Sequence, residues 1–121
     1  MMTQQEAFEL VERQARAWEA ADADAALADF AAECMFISPG GRWQGHAAIR
    51  QAMYTFFQGV NAVQVTITRV LISGDQGAAE WTWCESRLSD GQLHSAEDAI
   101  IFTLRDGKII YWREYFDTAG F

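Results

Sequence analysis

The stretch Val63-Gln64-Val65-Thr66-Ile67-Thr68 decides the fold, because apolar and polar side chains alternate along it. This alternation predicts a β-strand with one buried face. Upstream of it, apolar residues recur at helical spacing, and downstream, turn signals at residues 74–77, 89–91 and 106–107 separate further strands. Helices followed by hairpin-linked strands predict an α+β fold. We therefore expect a cone-shaped, curved antiparallel sheet wrapped over three N-terminal helices.

Three helices are predicted before this sheet. Thr3 and Glu6 have the spacing of a capping box. The apolar stripe of the first helix then comprises Phe8, Val11, Ala15 and Trp18. Asp22 or Asp24 can cap a short second helix, and residues 34–38 are typical of a strand that Pro39-Gly40-Gly41 ends. Gly45 precedes the third helix, whose stripe comprises Ile49, Met53, Phe56 and Phe57.

Composition excludes several classes of protein. The 121 residues are enough for one domain, expected over residues 1–121, and carry a formal net charge of -8. This acidity argues against nucleic acid or an anionic membrane as partner. No apolar run reaches the roughly 18 residues of a membrane span, and the first residues lack the basic start of a signal peptide. We expect a cytoplasmic protein that needs no cofactor and no metal, because its two Cys and two His form no cluster.

The hairpins determine which side chains share a face of the sheet. On the strand ending at Leu104, the more apolar set of alternate residues includes Asp98, so Asp98 is expected to face inward. A two-residue Asp90-Gly91 turn places Trp83 opposite Asp98. A three-residue loop with Gly107 in the left-handed region places Glu114 opposite Asp98, whereas a two-residue Asp106-Gly107 turn turns Glu114 outward. We favour the former because it gathers the tryptophans on one face.

Two carboxyl groups among aromatic side chains have a definite chemical consequence. Desolvation raises the pKa of a carboxyl group, and a second carboxylate nearby raises one of the two further. Asp98 and Glu114 are therefore the predicted catalytic residues, with Asp98 as a general acid or base and Glu114 as its electrostatic partner. The structural alternative pairs Glu114 with Arg87 or Arg42 and gives Asp98 a role at a strand end.

The same face supplies the predicted binding residues. Five tryptophans are many for 121 residues, and three on one concave face would accommodate a flat apolar or aromatic ligand. His94 is either a base or a solvated residue near a hairpin end. The full predicted set of substrate-binding residues is Trp18, Phe36, Ser38, Trp43, Trp81, Trp83, Glu85, His94 and Trp112.

Three stretches resemble a known family. The residues from Trp18 to Phe30 and from Pro39 to Ile49 resemble the nuclear transport factor 2-like superfamily, and more narrowly its SnoaL-like polyketide cyclases and ketosteroid isomerase relatives. The ending Asp106-Gly107-Lys108-Ile109-Ile110-Tyr111-Trp112-Arg113-Glu114-Tyr115-Phe116-Asp117 resembles the last hairpin of that family. The resemblance covers nearly the whole chain and implies a single SnoaL-like domain.

The catalytic residues of two relatives transfer only in part. By position, the tyrosine and two aspartates of ketosteroid isomerases fall on Gln14, Asp98 and Ser38, of which Asp98 alone keeps its type. In limonene epoxide hydrolase, Glu114 matches one acid of an Asp-Arg-Asp set. Trp81 and Trp83 replace the other two members, and Phe36 and Ser38 replace the residues that help hold the water. The resemblance therefore does not imply either of those two reactions.

Two functions remain open. The first is an isomerase, cyclase or lyase that acts on an apolar carbonyl compound, and the second is a non-catalytic small-molecule binder or assembly module of the same fold. In either case we expect a homodimer through the outer face of the sheet, as the resemblance implies. The expected interface residues are Ala99, Ile101, Ile109, Tyr111, Arg113, Tyr115 and Asp117.

Overall fold

The computed structural model describes residues 1–119. Three helices and six strands follow one another in the α+β arrangement that the sequence predicts. The elements are α1 (Gln4–Glu19), α2 (Ala23–Leu27), β1 (Phe30–Ser38), β2 (Gly41–Gln44), α3 (Gly45–Phe57), β3 (Val60–Ser73), β4 (Gln76–Arg87), β5 (Leu93–Arg105) and β6 (Lys108–Tyr115).

The six strands form one curved, open sheet in the order β2-β1-β6-β5-β4-β3. Strands β3 to β6 are joined by hairpins, as predicted. The sheet is not wholly antiparallel, however, because β1 pairs in parallel with β6. The short strand β2 was also not predicted, and it pairs with the end of β1. This parallel pairing brings the end of β1 beside β6, at the place where the candidate site lies.

The helices form where the local signals place them. Thr3 Oγ1 accepts a hydrogen bond from the backbone N–H of Glu6 at 3.1 Å, and Glu6 Oε1 accepts one from the Thr3 N–H at 2.8 Å. This reciprocal pair is the predicted capping box. Asp22 caps α2 through its side chain. The predicted stripe of α1 is wrong at Phe8, which is 37% exposed, because the buried face runs through Ala7, Leu10, Val11 and Gln14.

The β4–β5 hairpin has a longer loop than the predicted two-residue turn. Ser86 pairs with Leu93, and the Arg87 N–H donates to the carbonyl oxygen of Gln92 at 3.1 Å. Residues 88–91 therefore form the loop, and Trp81 rather than Trp83 lies opposite Asp98. The shift equals two residues, so every side chain keeps its predicted face.

The β5–β6 hairpin combines a tight turn with a bulge. Arg105 pairs with Lys108 across a two-residue turn, in which Asp106 and Gly107 both have positive φ (52° and 78°). The register then shifts by one residue beyond Thr103, so Glu114 lies opposite Ile100 instead of Asp98 and faces inward. The predicted face of Glu114 is thus right and its predicted partner is wrong. Ile109, expected on the outer face, is 0% exposed and belongs to the core.

Candidate functional site

A cavity of about 340 Å³ lies between the inner face of the sheet and helices α1 and α3. Three of the residues that line it carry carboxyl groups, and most of the others are aromatic. The lining residues are Trp18, Phe36, Ser38, Gly40, Trp43, Ala52, Phe56, Trp83, Glu85, Ala96, Asp98, Glu114 and Phe116. The cavity is therefore an apolar space with a few acidic groups on its wall.

Rings from different elements contact one another around this space. Trp18 of α1 and Phe56 of α3 both contact Trp83 of β4, with centroid distances of 5.8 Å and interplanar angles of 71° and 62°. Phe36 of β1 contacts Trp43 of β2 at 5.9 Å and 58°. Edge-to-face and tilted contacts of this kind are favourable between aromatic rings. Around Trp83 they place the ring planes at steep angles, so this part of the wall forms a corner, whereas Trp18 and Phe36 are inclined by only 32°.

Asp98 is a buried acidic residue with one oxygen that lacks a hydrogen-bond partner within the part of the chain that the structure describes. Its side chain comes from the inner face of β5, and the residue is 5% exposed. Its Oδ2 accepts a hydrogen bond from Trp81 Nε1 at 3.0 Å, whereas its Oδ1 is buried without a hydrogen-bond partner among residues 1–119. Desolvation raises the pKa of Asp98 to about 6, although the Trp81 hydrogen bond opposes this rise. Asp98 can therefore change protonation state near neutral pH.

Glu114 is the second acidic group in the cavity. It lies two residues beyond Trp112 on the same face of β6, and its Oε2 accepts a hydrogen bond from Trp112 Nε1 at 2.9 Å. Desolvation, and to a lesser extent the negative charge of Asp98, raises the pKa of Glu114 to about 8. Because the two carboxyl groups interact, they titrate as a pair, and near neutral pH the pair holds one proton and one negative charge.

Glu85 has a different environment although it lines the same cavity. The residue is 3% exposed, and its Oε1 accepts a hydrogen bond from Trp83 Nε1 at 2.8 Å. Its Oε2 accepts one from Arg87 Nε, also at 2.8 Å, so a cation balances its charge. Arg87 was considered as a partner of Glu114, and the structure pairs it with Glu85 instead. Both oxygens of Glu85 are occupied, which leaves Asp98 and Glu114 as the acidic groups available for chemistry.

A comparison with protein families matches residues 11–112 to the SnoaL-like domain. The chain belongs to the SnoaL-like family. The match includes the stretches Trp18 to Phe30 and Pro39 to Ile49, and the ending as far as Trp112. No curated protein matches this SnoaL-like chain. No helix within residues 1–119 combines the length and hydropathy of a membrane span.

Solved structures place this SnoaL-like domain in the nuclear transport factor 2-like and ketosteroid isomerase-like fold. A protein from Catenulispora acidiphila DSM 44928 with a ketosteroid isomerase-like fold, in complex with trimethylamine, is 20% identical (TM-score 0.86; 93% of this chain and 88% of that chain). TerC, co-crystallised with polyporic acid, is 19% identical (TM-score 0.83; 93% and 92%). A candidate SnoaL-like polyketide cyclase from Jannaschia sp. CCS1 is 20% identical (TM-score 0.82; 96% and 88%). At these identities the likeness establishes the fold.

Three predicted binding residues of the SnoaL-like chain do not line the cavity. Trp81 and Trp112 lie behind the carboxyl groups, where each indole N–H donates to one carboxyl oxygen. They orient the acidic groups instead of forming the wall. His94 is opposite Glu85 across the strands, and its Nε2 lies 2.7 Å from Asp90 Oδ2 in the loop. The other predicted binding residues, Trp18, Phe36, Ser38, Trp43, Trp83 and Glu85, do line the cavity.

Five lining residues were not predicted as part of the site. Phe56 belongs to the predicted apolar stripe of α3, and Ala96 is two residues before Asp98 on β5 and therefore faces inward with it. The sequence pattern of both residues could thus have indicated their place in the cavity. Gly40, Ala52 and Phe116 lie in a turn, on α3 and beyond the end of β6. Their place in the wall depends on how these segments fold over the sheet, which no local pattern reveals. Gln14, the positional match to a catalytic tyrosine, is buried away from the cavity and donates from Nε2 to the Ala26 carbonyl oxygen at 2.8 Å.

A larger groove, of about 600 Å³, extends from Tyr115 and exposed residues of β4 and β5 to the buried Trp81 and Asp98. Exposed carboxylates of Glu80, Glu97 and Asp117 line it. Asp98 and Phe116 border this groove as well as the inner cavity, whereas Glu114 lines the inner cavity only. The other carboxylates of the groove are exposed and remain hydrated, so it lacks the pair of perturbed acids that the inner cavity contains. The inner cavity is the better candidate for a functional site.

Proposed function

We propose that this protein is an enzyme that moves a proton within a small carbonyl compound, as an isomerase or cyclase does. The observation that supports it most directly is the pair of carboxyl groups in one apolar cavity. Their pKa values, about 6 for Asp98 and about 8 for Glu114, lie on opposite sides of neutrality. Two such groups can act together as base and acid at the same pH.

The proposed reaction starts with the ionised Asp98. Its carboxylate removes a proton from the carbon next to the carbonyl group, and the electrons of that C–H bond form an enolate. The enolate oxygen accepts a hydrogen bond from the protonated Glu114, which stabilises the negative charge as it develops. In a β,γ-unsaturated ketone the enolate is conjugated with the C=C bond, and return of the proton from Asp98 to the γ-carbon of this dienolate gives the α,β-unsaturated isomer. In a compound with a second carbonyl group, attack of the enolate carbon on that group forms the C–C bond of the ring, and the resulting alkoxide takes the proton from Asp98.

The surroundings of the two acids favour this chemistry. Trp81 and Trp112 each occupy one carboxyl oxygen, so the other oxygen of each acid is left for a ligand. The aromatic wall excludes water, which strengthens electrostatic interactions with a bound ligand. Relatives crystallised with trimethylamine and with polyporic acid support a small-molecule role for the same fold. Binding of a small apolar or aromatic compound is therefore part of the proposal.

The experiment is an isomerisation assay with β,γ-unsaturated cyclic ketones such as 3-cyclohexenone, followed by the absorbance of the conjugated product. Loss of the base in Asp98→Asn should reduce kcat by about 10²–10⁴-fold. Glu114→Leu should cost about 10²–10³-fold, whereas Glu114→Gln keeps a hydrogen-bond donor and should retain more activity. Glu97→Gln is the matched control, because Glu97 is next to Asp98 and exposed on the opposite face.

The pH profile tests the assignment of roles. For the wild type, kcat/KM should rise with an apparent pKa of about 6 and fall with one of about 8. Glu114→Gln should lose the fall at high pH while keeping the rise. Absence of turnover across the ketone panel, or an Asp98→Asn variant as active as wild type, would refute the proposed function.

Non-catalytic binding is the second candidate, and Ser38 is the observation that favours it. Ser38 lines the cavity at the position where the resemblance to ketosteroid isomerases expects a carboxylate base, and its Oγ accepts a hydrogen bond from the Gly40 N–H at 3.1 Å. For a binder, Asp98→Asn changes ligand affinity alone and no product forms. The same assay therefore separates the two candidates.

We also propose that two copies associate through the outer face of the sheet. Ile101 and Tyr115 are 42% and 47% exposed there, and the Arg113 guanidinium lies 4.8 Å from the centroid of the Tyr115 ring. Aromatic and arginine side chains among apolar ones are typical of the centre of an interface. Because Ile109 is buried in the core, it is not part of this surface.

A further inference from the structure

We propose that the cavity recognises an alkylammonium group, so that its ligand is a compact organic cation. The inference rests on the proposed function in one respect, namely that the inner cavity is the ligand site. It narrows the substrate class to carbonyl compounds that carry an alkylated amine. Three independent features of the cavity support it: the sign of its charges, the arrangement of its rings and one buried oxygen.

The first feature is that the charges on the cavity wall have one sign. The ionisable side chains that line it are Glu85, Asp98 and Glu114. Glu85 is balanced by Arg87, which approaches it from the same strand. Asp98 and Glu114 accept hydrogen bonds from neutral indoles and have no cation among their hydrogen-bond and ion-pair partners within residues 1–119. A bound cation would supply the missing positive charge.

The second feature is the geometry of the rings. Trp83 meets Trp18 at 71° and Phe56 at 62°, so these three rings from β4, α1 and α3 form a corner. A planar ligand stacks best between parallel rings, whereas a rounded methylated ammonium group can contact several inclined ring faces at once. Ring faces attract cations within about 6 Å of their centroids, and recognition of quaternary ammonium groups by aromatic cages uses this interaction.

The third feature is the free oxygen of Asp98. Its Oδ1 is buried, faces no hydrogen-bond donor among residues 1–119, and belongs to a residue that lines the cavity. Burial of a polar atom without a partner is unfavourable in a finished core. An alkylammonium group in the cavity would balance the charge of this carboxylate electrostatically, across the short distance that separates the buried oxygen from the cavity.

This arrangement predicts a specific pH dependence. The acids that face the cavity are Asp98 on β5, Glu114 on β6 and Glu85 on β4, the last with Arg87; His94 on β5 is engaged with Asp90 in the loop. A cation binds best when Asp98 is ionised. With a pKa of about 6, the ionised fraction of Asp98 rises about tenfold between about pH 5 and about pH 7.5. A neutral ligand gains nothing from that ionisation.

The experiment compares choline with 3,3-dimethyl-1-butanol, which has the same shape and no charge. Binding to the full chain is followed by tryptophan fluorescence and checked by calorimetry. At about pH 7.5, choline should bind at least about tenfold more tightly than the alcohol. Its affinity should fall about tenfold at about pH 5, while that of the alcohol stays within about twofold.

Two variants test the two halves of the site. Asp98→Asn should remove the pH dependence and most of the preference for choline. Phe56→Leu keeps an apolar side chain but removes a ring face, and it should weaken choline several-fold more than the alcohol. Phe56 is only partly buried, so this variant should fold even if Asp98→Asn does not.

The outcomes are distinct from those of the ketone assay. Equal or tighter binding of the alcohol at about pH 7.5, or a choline affinity that does not change with pH, overturns the inference and leaves isomerisation of neutral ketones standing. Absence of binding by either probe up to about 10 mM, which corresponds to very weak affinity, also overturns it. Preference for choline with no ketone turnover supports the cation site and refutes the proposed reaction.

Discussion

Replacing Asp98 by Asn should change how the stability of the protein depends on pH. The native structure desolvates this carboxyl group and gives its ionised form no cation. The pKa of Asp98 is therefore higher in the folded chain, at about 6, than the 3.8 of an ordinary aspartate. Because folding favours the protonated form, the folded state binds more protons than the unfolded state between these two values.

The sign and size of the effect follow from this difference. Well below pH 3.8 both states hold the proton and the contribution of Asp98 is fully present. As the pH rises towards about 6, the unfolded chain ionises first and stability is lost. At about 1.4 kcal/mol for each pH unit between 3.8 and about 6, the loss is about 3 kcal/mol, and above about pH 7 it is complete. The raised pKa of Glu114 continues the same trend towards about pH 8.

The assay is urea unfolding of wild type and Asp98→Asn at about pH 4 and about pH 7. The quantity compared is the change in the free energy of unfolding between the two pH values, so any constant cost of a buried amide cancels. Asn cannot ionise, so between about pH 4 and about pH 7 the variant should lose about 2.4 kcal/mol less than wild type, which is most of the full effect. The pKa values of Glu6 and Asp90 are lowered in the folded chain, so these two residues make stability rise with pH. They do so equally in wild type and variant, and their effect cancels in the comparison.

Glu97→Gln again serves as the control and should retain the wild-type pH dependence, since Glu97 is exposed. Parallel wild-type and Asp98→Asn profiles, agreeing within about 0.5 kcal/mol, would show that the Asp98 carboxyl is hydrated in the folded protein. That result would refute the argument from burial, and with it the basis for assigning Asp98 as a base near neutral pH.

Three further predictions concern packing, capping and assembly. A Cβ added at Gly77 would lie 2.1 Å from the Phe102 ring, so in the same urea titrations Gly77→Ala should lower the free energy of unfolding by at least about 1–3 kcal/mol. Gly59→Ala is the control and should have little effect, because a Cβ there would have its nearest contact at 3.8 Å. Thr3→Ala removes the capping box of α1 and should cost about 1 kcal/mol in thermal unfolding. Light scattering at about 10 μM should give the mass of a dimer, and a monomer mass would contradict the proposed association.

The face on which Asp98 lies could be predicted although both adjacent hairpins were assigned wrongly. The β4–β5 loop is two residues longer than expected. In the β5–β6 hairpin, a shorter turn and a one-residue bulge together shift the register by two. Side chains alternate with a period of two, so shifts of two change the partner of a residue but not its face. Burial of Asp98 among tryptophans was therefore predictable, and its pairing with Trp81 was not.

The rest of the site depends on contacts between distant segments. The parallel pairing of β1 with β6 brings Phe36 beside Trp112, although 76 positions of sequence separate them. Phe116 and Ala52 enter the wall through the path of the chain after β6 and the packing of α3. A periodic pattern specifies which face of an element is apolar, but it does not specify which other element covers that face. The acids were therefore easier to predict than the wall opposite them.

The three acidic groups show why a sequence motif alone does not determine their chemistry. Each accepts a hydrogen bond from an indole N–H, and in two cases the tryptophan lies two residues before the acid on the same strand face. Their remaining neighbours differ: Glu85 has Arg87, Asp98 has an oxygen without a partner, and Glu114 has the negative charge of Asp98. Proton transfer at neutral pH needs one acid that is ionised and another that is protonated. The indole partner is common to all three acids and cannot make this distinction. The fold makes it through the other neighbour of each group: Arg87 for Glu85, the absence of a second partner within residues 1–119 for Asp98, and the charge of Asp98 for Glu114.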